Sequence, residues 1–376
     1  MRLAFDATAL LGPRTGVGVV AAEVLARLAT TDDLDVVAFG ITWRGRRELA
    51  AAVPAGITTV GRPMAARPLR RAWARFDGPP IEWWTGAVDV VHSPNYVVPP
   101  ARRAAELMSV HDLTFVHFPE LCTADTLAYP PLIHRALGRG ATIHTGSHFV
   151  AEEIRHVFAL APERVVVVPY GVTELPPPAG GTDAATGRRL AGGDRFVLAL
   201  GTVEPRKDLP SLVRAFDALA DAHPDLVLVI AGPDGWGSDA LAGAIAASPH
   251  RTRIRRLGWV TDDQRAALLR GASVYAYPSI YEGFGLPPVE AMAAGTPVVT
   301  TRAGSLPEVV GDAALVVDPG DAEALAEAIG RLLDDDALAE RQRVAGRARS
   351  QQFSWDATAT GLVGLYRRLA ALHSAT

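Results

Sequence analysis

The sequence predicts an α/β protein built from two doubly wound, parallel-sheet domains. Its 376 residues exceed the size at which a single core keeps growing. Short β-branched runs alternate with amphipathic stretches along most of the chain, the mark of parallel sheets covered by helices. A segment rich in proline and glycine then divides this alternating pattern into halves.

In the first half, strands are expected at 3–5, 36–39, 88–92, 107–110, 142–145 and 165–169. In the second half they are expected at 196–200, 226–231, 254–257, 274–277, 297–300 and 314–317. Between them lie helical patterns. One carries Leu209, Leu212, Val213, Phe216 and Leu219 on one face, with Asp208 as its expected N-cap. Another carries Leu325, Ala328, Ile329 and Leu332 and is entered through Asp321. Residues 174–194 hold eight prolines and glycines in 21 positions and no aromatic, so they read as an interdomain linker. The expected organisation is a first domain at 1–173, the linker at 174–194, a second domain at 195–352, and a final helix at 353–376 that crosses back to the first domain. In doubly wound sheets, ligands bind beyond the carboxyl ends of the strands, and a cleft between two domains is the expected site.

Composition excludes several classes. The longest apolar runs, such as 165–168 and 226–231, are too short to span a bilayer. The chain opens on a strand-like Leu3-Ala4-Phe5 without a signal-peptide core, and its single cysteine, Cys122, can form neither an internal disulfide nor a cysteine metal cluster. A cytoplasmic enzyme is expected. The formal charge of −4 speaks against wholesale nucleic-acid binding. Of the 37 basic residues 36 are arginine, and the one lysine is Lys207. Where arginine is the habitual cation, a solitary lysine marks either chance or a site that wants a compact point charge.

Two segments carry the strongest chemical signal. The run Glu282-Gly283-Phe284-Gly285-Leu286-Pro287-Pro288-Val289-Glu290 follows the strand at 274–277 and opens a helix through its prolines. Backbone N–H groups at such a start suit a phosphate, and the flanking carboxylates suit hydroxyl groups. The structural alternative is a capping glutamate beside a glycine-rich turn. The run Gly201-Thr202-Val203-Glu204-Pro205-Arg206-Lys207-Asp208 follows the strand at 196–200 and sets two adjacent cations on a loop at the expected cleft edge. Fixed cations there would stabilise the charge of a departing diphosphate. The alternative is a solvated turn before a helix.

These residues resemble glycosyltransferase family 4. The resemblance rests on the two glutamates separated by seven residues in the run, the Glu204-Pro205-Arg206-Lys207 turn, and Pro278-Ser279 leading to Gly285. It extends over nearly the whole chain through Gly16-Val17-Gly18, His92-Ser93-Pro94-Asn95, Val110-His111-Asp112-Leu113, Ser305-Leu306-Pro307-Glu308-Val309 and Phe353-Ser354-Trp355. It implies the GT-B architecture of two facing Rossmann-like domains and a retaining transfer from a nucleotide sugar without a metal cofactor. Carried over residue by residue, Glu290 would hold the donor ribose and Glu282 the hydroxyls of the transferred sugar. Arg206 and Lys207 would bind the diphosphate, and His111 would contact the sugar near the reacting carbon. Gly16 and Gly18 would form the first-domain loop that closes on the donor. Thr202, Gly283, Phe284, Gly285 and Leu286 would complete the donor site, with Gly258, Trp259 and Val260 beside the base. Many relatives have arginine where this chain has Thr202, so the phosphate clamp would rest on Lys207 and Arg206. The resemblance implies GDP-mannose as first donor, with UDP- and dTDP-sugars open, and a glycan, lipid-linked or small-molecule acceptor.

Gly16-Val17-Gly18-Val19-Val20-Ala21 also fits a dinucleotide fingerprint, but ten residues separate it from Phe5. An NAD-dependent oxidoreductase and a non-catalytic sugar-nucleotide-binding protein are the alternatives. Seven of ten histidines fall between residues 92 and 156, yet no third ligand accompanies the spacing of His144 and His148, and structural roles are expected. Residues 49–76 contain no acid and five arginines, Arg62, Arg67, Arg70, Arg71 and Arg75, with Trp73 among them and Trp83 and Trp84 behind. That composition suits a peripheral contact with an anionic membrane, a solvated loop, or a grip on a phosphorylated acceptor.

Overall fold

A computed structural model of the chain describes residues 1–12, 16–178 and 182–374. They form two compact units, Met1–Gly171 with Ser354–Thr376, and Val172–Phe353. The first unit holds a seven-stranded parallel sheet of β1 (Arg2–Asp6), β2 (Asp35–Phe39), β3 (Thr58–Thr59), β4 (Val90–Ser93), β5 (Ala105–Ser109), β6 (Thr142–Thr145) and β7 (Val165–Val167). Its order is β3-β2-β1-β4-β5-β6-β7. The second unit holds β8 (Arg195–Leu200), β9 (Leu226–Ala231), β10 (Ile254–Gly258), β11 (Val274–Tyr277), β12 (Val298–Thr301) and β13 (Leu315–Val317), in the order β10-β9-β8-β11-β12-β13. Strand order reverses between β8 and β11, so a crevice for ligand is expected beyond their carboxyl ends.

The second sheet shows why its strands read as unbroken apolar runs. Val197, Leu228, Ile230, Val274 and Ala276 enter the core under helices Leu209–Ala220 and Ala322–Asp334. Their neighbours Phe196, Leu198, Val227, Val229 and Tyr275 enter the other core, with Leu268 of helix Asp262–Gly271 and Ala291 of helix Leu286–Ala294. With both faces covered, period-two alternation disappears from the sequence. Each fully buried Leu, Val or Phe contributes about 1.5–3 kcal/mol.

Several expectations need correction. The stretch expected to be a linker contains helix Ala184–Ala191, N-capped by Asp183, whose carboxylate accepts from Thr186 N–H at 2.7 Å. Its prolines precede the helix, Gly192 ends it in the left-handed region, and Gly187 lies against the Ala267 carbonyl, where a Cβ would come within 2.0 Å. The helix is therefore docked in the second unit. Asp208 occupies the position before helix Leu209–Ala220, but its backbone is left-handed and its carboxylate accepts from the Ser211 hydroxyl instead of capping N–H groups. Asp321 does cap its helix, accepting from Ala324 N–H at 2.9 Å. The edge strand β3 was not anticipated, because two threonines carry no periodicity. The final helix, Trp355–Ser374, lies in the first unit, where Leu362, Leu365 and Tyr366 are buried.

Candidate functional site

In the second unit the loops after β8, β11 and β12 converge on one carboxylate. After β8 the chain turns at Gly201 (φ +139°), passes through the 3-10 turn Pro205–Lys207 and enters helix Leu209–Ala220. Gly232, after β9, backs this loop so closely that a Cβ there would meet the Gly201 carbonyl at 2.0 Å. Two bonds join it to the loop after β11: Ile280 N–H donates to the Arg206 carbonyl, and the Arg206 guanidinium donates to the Tyr281 carbonyl, both at 2.9 Å. From the loop after β12, Ser305 donates to the Glu282 carbonyl through its N–H (2.9 Å) and hydroxyl (3.1 Å). Gly304 (φ +59°) permits that approach, since a Cβ there would sit 2.1 Å from the same oxygen.

Held in this way, Glu282 is buried, and a single oxygen, Oε1, faces four donors. These are Arg206 Nη1 at 2.6 Å, Lys207 Nζ and the Tyr277 hydroxyl at 2.8 Å, and the Ser279 hydroxyl at 2.9 Å. Burial by itself would push this carboxyl up, but the charges of Arg206 and Lys207 outweigh it and hold the group well below the usual carboxylate range. Burial lowers Lys207 despite its carboxylate partner. The ammonium also donates to the Tyr277 hydroxyl and lies 4.4 Å from the centre of that ring. Arg206 is shared with Glu204 at 3.2 Å. The two cations are thus balanced by two carboxylates. Lys207 has three ammonium protons, and two are directed at Tyr277 and Glu282. A small hollow opens beside it, lined by Gly201, Thr202, Tyr277 and Pro278. A larger, open groove lies between helices Leu209–Ala220 and Ala322–Asp334, away from these loops.

Gly285 precedes helix Leu286–Ala294 in the left-handed region (φ +95°), and Phe284 is buried edge-on to Phe353 at 5.5 Å. Pro287 and Pro288 carry no N–H, so the donors this helix start can offer an anion come from Gly285 and Leu286. Glu290, in the same helix, pairs through Oε2 with Arg265 Nη1 at 2.7 Å, and burial raises its pKa above the ordinary carboxylate value. Gly258 closes β10 with φ +65° and its carbonyl accepts from Gly232 N–H at 2.7 Å. Trp259 is 69% exposed, and Val260 packs partly against the core.

In the first unit, Gly16 and Gly18 open helix Gly16–Leu28, Gly16 exposed and Gly18 buried; β1 ended at Asp6, and the 3-10 turn Thr8–Leu10 intervenes. A dinucleotide fingerprint would follow its strand directly, and this one does not. Beyond β5, His111 Nε2 donates to the Pro94 carbonyl at 2.6 Å, which leaves Nδ1 to accept from the Tyr170 hydroxyl at 2.8 Å. Both ring nitrogens are thus engaged within the unit, and burial lowers the pKa. A second chain is fully buried and directed. Tyr366 donates to His92 Nδ1 (2.7 Å), His92 Nε2 to Ser109 (3.0 Å), Ser109 to His144 Nδ1 (2.8 Å), and His144 Nε2 to the Val168 carbonyl (3.0 Å). The carbonyl can only accept, and this fixes the direction of every link. Burial lowers His144 to about 4 and His92 well below its ordinary value, so both stay neutral. Among the described residues no group of three or more His, Cys, Asp or Glu side chains is placed to hold a metal ion.

Of the residues expected from sequence, Thr202, Arg206, Lys207 and Glu282 come together, and Glu290 lies on the helix that follows. Glu204, Tyr277, Ser279 and Arg265 were not anticipated as partners. Tyr277 and Ser279 flank the motif proline, a signal of position but not of direction. Arg265 carries no local signal at all, because its partner lies on another helix.

The family described as "Glycosyl transferases group 1" matches residues 186–350. The O-antigen chain mannosyltransferase B of Escherichia coli is 34% identical over 307 residues, 80% of this chain and 78% of that protein. Among solved structures, sucrose-phosphate synthase from Thermosynechococcus elongatus superposes with a TM-score of 0.76 at 21% identity, covering 99% of both chains. Anabaena HepE in complex with UDP and glucose does so at 0.71 and 18% identity, covering 97% of this chain and 99% of its own. The likeness to these structures covers both parallel sheets, and the fold is GT-B.

Proposed function

Because the chain belongs to the group 1 glycosyl transferases and is a glycosyltransferase, we propose that it moves a hexose, first mannose from GDP-mannose, to a glycan, lipid-linked or small-molecule acceptor with retention at the anomeric carbon. The observation that carries the reading is the ion cluster of Arg206, Lys207 and Glu282 at the reversal between β8 and β11. In this reading the donor's C1–O bond to the β-phosphate breaks, the acceptor oxygen bonds C1 on the same face, and the acceptor's proton passes to the leaving phosphate. Lys207 and Arg206 stabilise the charge growing on that phosphate. Glu282, kept anionic by the same cations, accepts from hydroxyls of the sugar through the oxygen outside the cluster. Two fixed cations take the role a divalent ion would otherwise fill, so no metal is required. Glu290 takes the ribose and Gly258–Val260 the base edge. The likeness to a mannosyltransferase supports mannose.

Thermal stabilisation and donor hydrolysis across GDP-mannose, UDP-sugars and dTDP-sugars test the donor, and the anomeric proton coupling of the product tests retention. Stronger stabilisation by GDP-mannose than by UDP- or dTDP-sugars is expected. A protein stabilised only by UDP- or dTDP-sugars overturns the donor, and an inverted product overturns the mechanism.

No helix among the described residues is long and apolar enough to cross a membrane. A peripheral contact is part of the proposal, with one change to its residues. Trp73 is buried and donates to the Pro79 carbonyl, and Trp84 donates to the Pro63 carbonyl, so neither is free to enter an interface. Arg67 and Arg71, one turn apart on helix Ala66–Trp73, are exposed, as are Arg62, Arg75, Phe76 (66%) and Trp83 (56%), while Arg70 is half-buried. Exposed aromatics among arginines fit an anionic lipid surface.

A further inference from the structure

On the reading that Glu290 takes the donor ribose, we infer that Arg265 is a positioning residue: its contact with one carboxylate oxygen orients Glu290 and leaves the other oxygen for the nucleoside. Arg265 Nη1 meets Oε2 at 2.7 Å, with the two side chains 24% and 16% exposed. Its other acidic neighbour, Asp262, stands 3.7 Å from Nε in a looser contact and is itself 94% exposed.

The local structure around Arg265 points the same way. Helix Asp262–Gly271 begins immediately after Gly258, Trp259 and Val260, and a reciprocal capping box fixes its start: Thr261 accepts from Gln264 N–H, and Gln264 accepts from Thr261 N–H. Arg265 is the fourth residue of that helix. A cation so near a helix N-terminus opposes the helix dipole, and in the first turn Asp262 and Asp263 have the favourable sign. Arg265 reaches across to helix Leu286–Ala294 instead, where it meets the half-buried Glu290. One rigid helix start therefore ties the loop beside the base to the carboxylate beside the ribose.

The chemistry of a diol explains the need. The free oxygen of an ionised carboxylate has two acceptor sites and can take both ribose hydroxyls, whereas a protonated oxygen becomes a donor itself. Burial favours the neutral form of Glu290, and the exposed Asp262 adds slightly to that tendency. Opposing both is the charge of Arg265. A further titratable neighbour is the phenol of Tyr275 on β11, which burial keeps neutral. Removing Arg265 thus raises the pH below which Glu290 is protonated and nucleotide binding weakens.

The test is calorimetric titration of the full chain with GDP and with UDP between pH 5 and 9. At neutral pH, Arg265→Gln is expected to weaken both nucleotides by the same factor, on the order of tenfold to a hundredfold, because the ribose is common to them. Its acid limb moves to higher pH than that of the unaltered chain, and the ligand's own titration cancels in the comparison. Arg265→Lys keeps the charge and should leave the limb in place. If Arg265→Gln does not fold, Arg265→Met, which keeps a packed stem, takes the same measurement. A loss equal at every pH, or a lysine variant whose limb moves as far as that of the glutamine variant, overturns the positioning role. Glu290→Gln separates the two levels. If it leaves GDP and UDP affinity unchanged, the ribose reading itself fails. If it weakens both while Arg265→Gln weakens neither, the inference about Arg265 alone is wrong.

Discussion

Replacing Glu282 by glutamine preserves the shape of the hub and removes its charge. The two cations then retain Glu204 as a counter-charge. At 2.6 and 2.8 Å, with an effective dielectric of about 20, each attraction to Glu282 is about 6 kcal/mol before desolvation is subtracted. Desolvation offsets much of this, and breaking a buried pair by removing one partner costs about 3–5 kcal/mol. Glutamine's carbonyl keeps the bonds from Tyr277 and Ser279, so a loss near 3 kcal/mol is expected. In a unit of this size that lowers the melting temperature by roughly 6–12 °C. Binding should move the other way. Removing an anion beside the diphosphate gains about 1 kcal/mol, roughly fivefold tighter nucleoside diphosphate. Because the bonds from the sugar hydroxyls strengthen as charge develops, kcat should fall on the order of a hundredfold or more. Calorimetry, melting curves and single-turnover kinetics on one preparation report all three. A variant that binds nucleoside diphosphate more weakly yet turns over normally would refute the reasoning, because Glu282 would then hold the nucleotide instead of the reacting sugar.

Lysine-selective labelling should modify Lys207, whose amine is depressed by burial, and saturating nucleoside diphosphate should protect it; labelling unchanged by nucleotide removes Lys207 from the site. Activity should survive excess EDTA almost undiminished, and complete loss restored by magnesium or manganese would show that the cations do not carry the phosphate chemistry. The buried histidines predict acid sensitivity of the first unit. His144 binds a proton near pH 4 when folded and near 6.5 when unfolded, so the unfolded chain takes up protons first and stability falls as pH drops through that window. The slope is about 1.4 kcal/mol per pH unit for each such histidine, about 3 kcal/mol in all for His144. Equal melting temperatures at pH 7 and pH 5 would contradict the neutral chain. Reversing Arg67, Arg71 and Arg75 to glutamate should abolish salt-sensitive sedimentation with anionic vesicles while leaving transfer to a water-soluble acceptor intact; binding that persists in the triple variant rules out this surface.

Much of the molecule was legible in the sequence. Twelve strands were placed because a strand buried on both faces writes a short β-branched run, and because proline, glycine and helical periodicity punctuate the runs between them. The loops after β8 and β11 were legible as chemistry, since Lys207 stands alone among arginines and two carboxylates bracket a glycine-rich helix start. The helix Ala184–Ala191 was hidden because its Gly187, which serves close packing against Ala267, counts in composition as a breaker. Spacing along a chain records which face of an element is apolar and where a loop begins. Which side chains meet is decided by strand order. β8 and β11 are neighbours although 73 residues of chain lie between Leu200 and Val274, so only the folded sheet sets Arg206 and Lys207 on the one oxygen of Glu282. The same holds for Arg265 with Glu290, and for Tyr366 with His92, 274 residues apart. Directional bonds of about 3 Å between distant segments leave no periodic trace in a sequence, because each partner's position is fixed by its own element and not by the other.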